Sequence, residues 1–417
     1  MVLHLSNFHL EGGAGVAATR LHRALLKSGT ESRLLVSGLS AEEPGVCGLS
    51  STALQSKLAW ARFVGERLYF YPQERDASVR FAFSPAEIGA DITNNPWVQE
   101  ADIIHLHWIN FGFLSLDSLD KLFALGKPIV WTLHDMWTFT GGCHYSRGCE
   151  NFLTHCHYCP YLAKPDAYDI SFAQFERKRS IYKKSRMALV SPSQWLDSLV
   201  KKAALTGAKK SLSIPNCIDT ELFRPFDKLA IRRKLNLPES KKLILFAGAN
   251  IGDPRKGFTF FRQALEKKGL PTSDIEILVL GKANPEVMAS FPVPVHYLGK
   301  ISDPNAMVEA YNAADMIVVP SLEDNLPNTI MEAMSCGTPA LGFATGGIPE
   351  MIDHQDNGYI ALQASAQSLS EGIEWILNPE NNAELPGKAR SKVLQTYSER
   401  VVADQYQQLY HTLLANE

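Results

Sequence analysis

The sequence predicts an α/β protein that consists of two doubly wound domains in tandem. Its 417 residues are more than one hydrophobic core usually serves, so two domains of roughly 200 residues are expected. Short apolar runs alternate with helical patterns along nearly the whole chain, which is how βαβ units appear in a sequence. The alternation begins again near residue 240, after a stretch between 215 and 238 that is rich in proline and charge. We therefore expect one domain over 1–215, a second over 216–397, and a final helix over 398–417.

The apolar runs define the predicted strands. In the first domain these strands are Val2–Ser6, Ser32–Ser37, Asp102–His107, Pro128–Leu133, Met187–Val190 and Leu212–Pro215. In the second domain they are Lys242–Ala247, Ile275–Leu280, Val295–Leu298, Asp315–Val319 and Pro339–Gly342. Residues 40–100 carry the weakest pattern, and their aromatic residues either line an acceptor site or cover the core, which is the commoner use.

Bulk composition excludes several classes of protein. The apolar content is 45% and the charged content 20%, as in ordinary globular proteins, and the net charge of −3 gives no general attraction to nucleic acid. No apolar stretch approaches eighteen residues, and the first residues lack the basic and apolar regions of a signal peptide. We expect a cytoplasmic protein that has no nucleic-acid partner.

Glycine-rich turns after predicted strands offer sites for phosphate. Gly12–Gly15 follows the first strand and opens a helix, and Gly346–Glu350 does the same in the second domain. Backbone N–H groups at such helix starts attract anions. Arg255 and Lys256 lie on another glycine-containing loop, where two adjacent cations can clamp a diphosphate. Ordinary tight turns and solvated loop charges are the alternative interpretation.

Three polar residues stand where predicted strands end. His134 follows one strand, and Asp324 and Glu332 lie eight positions apart on the loop and helix that follow another. The carboxyl ends of parallel strands line the ligand crevice, and one carboxylate can accept two hydroxyl hydrogen bonds. The pattern indicates a ligand rich in hydroxyl groups, such as a sugar. A structural histidine and two surface acids are the alternative.

Four of the seven cysteines, Cys143, Cys149, Cys156 and Cys159, lie within seventeen residues. In a cytosolic protein this cluster favours a structural zinc site over disulfides, because four thiolates complete a tetrahedral site. Free thiols or a disulfide pair are the alternatives. The insert that carries the cysteines covers residues 141–162.

The segment 175–210 is basic. Residues 174–210 contain ten Lys or Arg and two acids, interleaved with aromatic side chains. Such a surface can dock on anionic lipid, although a solvated helix face is the commoner explanation. The segment predicts a peripheral contact with the inner face of the membrane.

Together these segments resemble the family 4 retaining glycosyltransferases of the GT-B fold, over nearly the whole chain. They are the glycines at 12–15, TLHD at 132–135, PNCIDTELFRP at 215–225, DPRKG at 253–257, PSLEDNLPNTIMEAMSCGTP at 320–339 and GGIPEMI at 346–352. The cysteine-rich insert looks like that of a bacterial subgroup that assembles polysaccharides. The resemblance implies two Rossmann-like domains that face a central cleft. It places the acceptor side in the first domain and nucleotide-sugar binding in the second, with the final helix crossing back to the first.

The resemblance also implies roles for single residues. His134 would contact the transferred sugar, Arg255 and Lys256 would hold the diphosphate, and Asp324 would bind the donor sugar. These four are the predicted catalytic residues, and Glu332 would bind the ribose hydroxyls. The predicted donor-binding residues are Gly13, Gly15, Asn216, Asn250, Arg255, Lys256, Asp324, Asn325, Leu326, Pro327, Asn328, Thr329 and Glu332. No catalytic metal is expected, because the chain has no Asp-x-Asp pair.

The implied reaction moves a hexose, with retention of configuration, from a nucleotide-diphosphate sugar to a saccharide or lipid-linked saccharide in polysaccharide biosynthesis. UDP-glucose or a similar UDP-hexose is the expected donor. A nucleotide-sugar epimerase of the same fold, or a non-catalytic binding protein that uses the cysteine module, is the alternative. The chain departs from the family pattern where Asp324 replaces a glutamate and Cys217 a glycine. Ala249 and Asn250 also stand where a basic residue is usual.

Overall fold

The computed structural model describes residues 1–38, 43–267, 270, 272–283 and 285–415, with the side chains of residues 249 and 250 outside the description. The chain divides into two compact units, one formed by Met1–Pro215 with Ala403–Glu417 and the other by Asn216–Val402. Each unit has its own parallel sheet and its own buried apolar core. None of the described helices is both long and apolar enough to cross a bilayer.

The first unit contains a seven-stranded parallel sheet. Its strands are β1 (Val2–Ser6), β2 (Ser32–Val36), β3 (Val46–Gly48), β4 (Ile103–Leu106), β5 (Ile129–Thr132), β6 (Met187–Ser191) and β7 (Lys210–Ser213). Their order across the sheet is β3-β2-β1-β4-β5-β6-β7. The order reverses between β1 and β4, and a doubly wound sheet forms its ligand crevice outside the carboxyl ends of strands at such a point.

Several helices accompany this sheet in the first unit. They are α1 (Gly12–Lys27), α2 (Ala53–Phe70), α3 (Pro96–Glu100), α4 (Leu116–Phe123), α5 (Ile170–Lys184) and α6 (Gln194–Lys202). All five residues of β1 are buried, as expected for a strand covered on both faces. Two of them, His4 and Ser6, are polar, which is unusual in such a strand and marks the functional region described below.

The second unit contains a six-stranded parallel sheet. Its strands are β8 (Lys242–Asn250), β9 (Ile275–Lys282), β10 (Val295–Gly299), β11 (Met316–Val319), β12 (Ala340–Phe343) and β13 (Gly358–Ala361). Their order is β10-β9-β8-β11-β12-β13, so the reversal lies between β8 and β11.

The helices numbered from 7 to 15 belong to the second unit. They are α7 (Lys228–Lys234), α8 (Phe258–Leu265), α9 (Pro285–Ala289), α10 (Pro304–Ala313), α11 (Asn328–Ser335), α12 (Ile348–Met351), α13 (Ala366–Leu377), α14 (Pro379–Asn382) and α15 (Leu385–Thr396). The last helix, α16 (Glu399–Leu414), runs through the position at which the chain returns to the first unit.

All eleven predicted strands are present, with ends displaced by a few residues. The largest displacement is at the end of β8, predicted at Ala247 and observed at Asn250, and the predicted strand Leu212–Pro215 is shifted as a whole to Lys210–Ser213. Strands β3 and β13 and helix α2 were not predicted. Both strands lie at a sheet edge and are short and glycine-containing, so each gives a weak apolar signal.

Candidate functional site

Three loops of the second unit follow adjacent strands. Because β8, β11 and β12 are neighbours, the loops 251–257, 320–327 and 344–347 all begin at the carboxyl edge of the sheet. Two of them flank the reversal between β8 and β11, where doubly wound sheets bind ligands.

Two glycines let these loops touch. Gly257 has a φ of +68°, and a Cβ atom there would lie 1.9 Å from the carbonyl oxygen of Pro320. Gly346 has a φ of +56°, and a Cβ atom there would lie 1.8 Å from the carbonyl oxygen of Asp324. Glycine tolerates both the positive φ and the close approach. The N–H of Gly347 donates to the Asp324 carbonyl at 3.2 Å, so the loops form one continuous backbone platform.

The predicted diphosphate clamp lies on this platform. Lys256 Nζ donates to Asp324 Oδ2 at 2.6 Å, which joins two predicted catalytic residues that are 68 positions apart in sequence. Arg255 pairs with Asp253 at 2.7 Å, and its carbonyl accepts a hydrogen bond from Leu322 at 2.7 Å. The Lys256 and Asp324 side chains are 28% and 13% exposed, so solvent screens their interaction only in part. The lysine is thereby held in place by the aspartate.

Helix α11 carries Glu332 into the protein interior. Glu332 is 3% exposed, and its Oε2 accepts a hydrogen bond from the hydroxyl of Tyr311 on α10. At the first residue of α11, Asn328 Oδ1 accepts from Asn216 Nδ2 at 3.1 Å. One carboxylate oxygen of Glu332 is thus fixed by a phenol, which orients the group for hydrogen bonding.

The remaining residues predicted to bind the donor in this unit occupy the same loop and the start of α11. Asn325, Leu326 and Pro327 are buried and Thr329 is half-buried. Asn250 ends β8, but its side chain lies outside the described residues. The platform therefore gathers the predicted residues from 255 to 332 within one unit.

In the first unit, His134 ends a chain of buried histidines. His134 Nε2 lies 3.1 Å from His107 Nδ1, and His107 Nε2 lies 2.9 Å from His4 Nδ1. A further histidine, His105, contacts the Tyr410 hydroxyl and Thr132 Oγ1, both at 2.7 Å. Sequence reasoning found only His134. The signal for the others was present, because His4, His105 and His107 interrupt two apolar strand segments.

The chain of contacts fixes the proton on each ring. His4 Nε2 is buried and, within the described part of the chain, has no hydrogen-bond partner. An orphaned buried N–H is rarer than an orphaned acceptor, so the His4 proton belongs on Nδ1. His4 then donates to His107, and His107 donates through Nδ1 to His134 Nε2. His134 is left with its proton on Nδ1.

Burial keeps these rings neutral. It lowers the pKa of His134 to about 4, against the opposing effect of Asp135, and lowers the pKa of His4, His105 and His107 well below the ordinary value. In the described part of the chain, His4, His105 and His107 are the one group whose potential metal-ligand atoms all lie within 4.8 Å of one another. Five of their six ring nitrogens already contact a hydrogen-bond partner, so we assign the cluster to the hydrogen-bond chain.

The residue after His134 is held by a second buried network. Asp135 Oδ2 accepts from Trp108 Nε1 at 2.9 Å and from His144 Nδ1 at 2.7 Å. Burial alone would raise the pKa of Asp135, but the contacts with His144 and the N–H donors lower it below its usual value. His144 Nε2 contacts Ser84 Oγ at 2.9 Å. Because Ser84 has no exposed surface, this Asp–His–Ser series positions the loop and offers no reachable nucleophile.

The predicted glycine turn forms the first turn of α1. Gly12 has a φ of +67° and begins the helix, and Gly13 and Gly15 follow within it. A Cβ atom on Gly15 would lie 3.0 Å from Phe8, so this glycine allows the helix to pack against the preceding loop. The Phe8 ring stacks on Trp108 at 5.6 Å. The loops after β1 and β4 are therefore packed together beside His134.

The geometry does not support the predicted zinc site. The four predicted thiols line one cavity of about 20 Å³, together with Asn151 and His157. Around one zinc ion the sulfur atoms would be roughly 4 Å apart, and no three of these sulfur atoms lie within 4.8 Å of one another. Burial raises the pKa of Cys156 to about 11 and of Cys159 to about 12, which favours the neutral thiols.

The basic segment 175–210 is largely engaged inside the first unit. At least six of its ten cations have a partner there, namely Arg177, Lys178, Arg179, Lys184, Lys201 and Lys209. Lys178 is fully buried, where it donates to the carbonyls of Trp137 and Thr140, and burial lowers its pKa to about 7. Much of the predicted lipid-facing charge is thus used in folding this unit.

Comparison with known proteins agrees with this architecture. The profile of Glycosyltransferase Family 4 matches residues 11–222, and that of Glycosyl transferases group 1 matches residues 241–379. A protein of Escherichia coli K12 named as a colanic acid biosynthesis glycosyl transferase is 26% identical over 337 residues, or 77% of this chain and 78% of that protein.

Solved structures share the fold. Sucrose-phosphate synthase from Thermosynechococcus elongatus has a TM-score of 0.69 at 18% identity, with 100% of this chain and 99% of that chain covered. HepE from Anabaena, in complex with UDP-glucose, has a TM-score of 0.62 at 15% identity, with 99% of each chain covered. The prediction of a GT-B fold with two Rossmann-like domains is confirmed.

Proposed function

The chain belongs to glycosyltransferase family 4, and from this we propose that it transfers a hexose from UDP-glucose or a similar UDP-hexose to a saccharide or lipid-linked saccharide, with retention of configuration. The observation that carries the proposal is the platform of the second unit, where Lys256 pairs with Asp324 and the helix that follows the Asp324 loop carries Glu332. We assign donor binding to this unit and the acceptor side to the first. The colanic acid relative supports a role in polysaccharide biosynthesis, and the UDP-glucose complex of HepE supports the donor.

The donor contacts follow from the charges on the platform. Lys256 and Arg255 bind the diphosphate, the lysine as a point charge and the arginine through its planar fork. Glu332 accepts hydrogen bonds from the ribose hydroxyls, since a carboxylate with one oxygen fixed by Tyr311 keeps acceptor capacity. Asp324 binds a hydroxyl of the sugar while it holds Lys256.

Transfer needs the leaving diphosphate to be stabilised. The bond between the anomeric carbon and the β-phosphate oxygen breaks, and the acceptor oxygen forms its bond to the same face of that carbon. The acceptor proton passes to the departing phosphate oxygen. Lys256 and Arg255 stabilise the negative charge that develops there, and aligning the two substrates removes much of the entropic barrier. His134, neutral and protonated on Nδ1, donates a hydrogen bond to a sugar hydroxyl.

Nucleotide binding and product analysis test this proposal. We expect UDP and UDP-glucose to raise the melting temperature of the protein, because a ligand that binds only the folded state stabilises it. Glucose should be released or transferred with its α configuration kept, and no epimer of UDP-glucose should form without acceptor. No thermal shift with any UDP- or GDP-sugar would contradict the proposal, and acceptor-free epimer formation would indicate the epimerase.

A further inference from the structure

Helix α2 buries two charged side chains, together with Phe70, on the face that packs against the first unit. Its buried positions include Glu66 and Arg67, whereas a surface helix normally buries its apolar stripe. The Glu66 carboxylate accepts from the backbone N–H groups of residues 86–88, at distances from 2.7 to 3.1 Å. Arg67 donates to the carbonyls of Arg80 and Phe83. The polar side chains of α2 therefore anchor the helix to the first unit.

The opposite side of α2 is apolar and exposed. Leu54, Leu58 and Leu68 are 68%, 50% and 65% exposed, and Tyr69 is 41% exposed. At 3.6 residues per turn these side chains lie within an arc of roughly 100°. The stripe lies on the side of the helix away from the buried arc that Glu66, Phe70 and Arg67 define. No local packing explains three solvent-facing leucines on one side of one helix.

The borders of this stripe are cationic. Lys57 is exposed on one side, and Arg62 on the other side is half-buried and donates to the Gly112 carbonyl at 3.2 Å. Glu66, which is buried, is the only acid between residues 53 and 70, all of which the structure describes. Apolar residues flanked by cations, with tyrosine at the margin, are typical of helices that lie in a lipid interface.

We propose that the α2 surface, formed by Leu54, Lys57, Leu58, Leu68 and Tyr69, binds an anionic lipid bilayer. The leucines enter the boundary between headgroups and acyl chains, and Lys57 lies among the lipid phosphates. The helix is about 27 Å long and lies in the plane of the surface. Self-association through this surface is disfavoured, because two copies would bring their cations together with no exposed carboxylate to pair with them.

This proposal moves the membrane contact away from the basic segment 175–210, most of whose cations already have partners within the unit. It rests on the proposed function only in giving the transferase access to a lipid-linked acceptor. Lipid binding itself is independent of the donor site, because α2 lies in the first unit and the platform in the second. Failure of one proposal therefore leaves the other standing.

Vesicle flotation of the full chain tests the proposal. We expect the protein to float with vesicles that contain roughly a third phosphatidylglycerol and to bind pure phosphatidylcholine far less. The double variant Leu54→Glu, Leu58→Glu should bind the anionic vesicles at least tenfold more weakly. The matched control Lys183→Glu, Lys202→Glu, which changes two exposed lysines of the basic segment, should stay within about twofold of the parent.

Circular dichroism and UDP binding show whether each variant is folded. The variant Leu54→Glu, Leu58→Glu should keep the parent's dichroism spectrum and its affinity for UDP. Because its changes are at exposed positions, a loss of vesicle binding with normal UDP binding supports the proposal. Absence of wild-type flotation, or equal binding by the leucine variant, would overturn it. So would a dimer in light scattering that the leucine changes dissociate, because the stripe would then serve self-association.

Discussion

Replacing Lys256 with methionine removes one charge from the platform and keeps most of the side-chain volume. Lys256 Nζ lies 2.6 Å from Asp324 Oδ2, and both side chains are largely shielded. A hydrogen bond to a charged group contributes about 1.5–3 kcal/mol in net terms. The variant loses such a bond to the diphosphate and leaves Asp324 unpaired beside it, and both effects weaken binding. We therefore expect the Kd for UDP to rise roughly ten- to hundredfold.

Isothermal titration calorimetry with UDP and with uridine measures the effect. Uridine has no phosphate, so its weak binding should change little in Lys256→Met. The matched control is Lys392→Met, because Lys392 forms a comparable pair with Asp353, at 3.0 Å, in the same unit but away from the platform. This control should bind UDP as the parent does.

Asp324, the partner of Lys256, gives a change of opposite sign in UDP affinity. Asp324→Asn removes the carboxylate that would repel the diphosphate, so UDP should bind at least as tightly as to the parent while UDP-glucose turnover falls. Combining it with Lys256→Met should restore part of the lost UDP affinity, which a double-mutant cycle reports as coupling. The reasoning is refuted if Lys256→Met binds UDP within about twofold of the parent.

Three further predictions concern Glu332, Gly346 and His134. Glu332→Gln should weaken UDP binding about tenfold, because a hydrogen bond from the ribose to a neutral amide is weaker than one to a carboxylate. Stability should change little, because the amide oxygen still accepts a hydrogen bond from Tyr311. An unchanged Kd in calorimetry would contradict the ribose contact. Gly346→Ala should lower the free energy of unfolding by about 1–3 kcal/mol and impair turnover, because φ is +56° and the Asp324 carbonyl occupies the position of the new Cβ atom. The control Gly387→Ala, whose Cβ atom would have nothing within 4 Å, should be neutral or stabilising in urea unfolding. Nitrogen-15 NMR should show His134 neutral and protonated on Nδ1 down to about pH 5. The first unit should lose stability as pH falls from about 6.5 toward 4, because the histidines bind protons in the unfolded chain but not when they are buried. A His134 that titrates near 6.5 would contradict the burial argument.

Local sequence signals were sufficient for the strands and loops of the platform. Buried parallel strands read as continuous apolar runs, and Gly257 and Gly346 mark the turns that follow two of them. The pairing of Lys256 with Asp324 was less accessible, because it joins loops 68 residues apart and depends on strand order. The contacts among the buried histidines were missed for the same reason, since His4, His107 and Tyr410 come from three distant parts of the chain.

The burial of two charged residues of α2, Glu66 and Arg67, was also outside the reach of sequence reasoning. Its apolar residues have helical spacing, which normally indicates a buried face. Only the contacts of Glu66 with residues 86–88 show that the polar face is the anchored one. The predicted zinc site illustrates the converse limit, because cysteine spacing does not fix the distances between sulfur atoms.

The two tyrosines of α16 determine when the first unit can finish folding. Tyr410 contacts His105 at 2.7 Å, and Tyr406 contacts Thr132 at 2.9 Å, both inside the first unit. On the ribosome, β4 and β5 emerge some 270 residues or more before these hydroxyls are made. The nascent first unit therefore carries an uncovered polar seam until Tyr406 and Tyr410 have been made, after the last residue of the second unit. The unit whose synthesis begins first is thus the one that receives its last residues later.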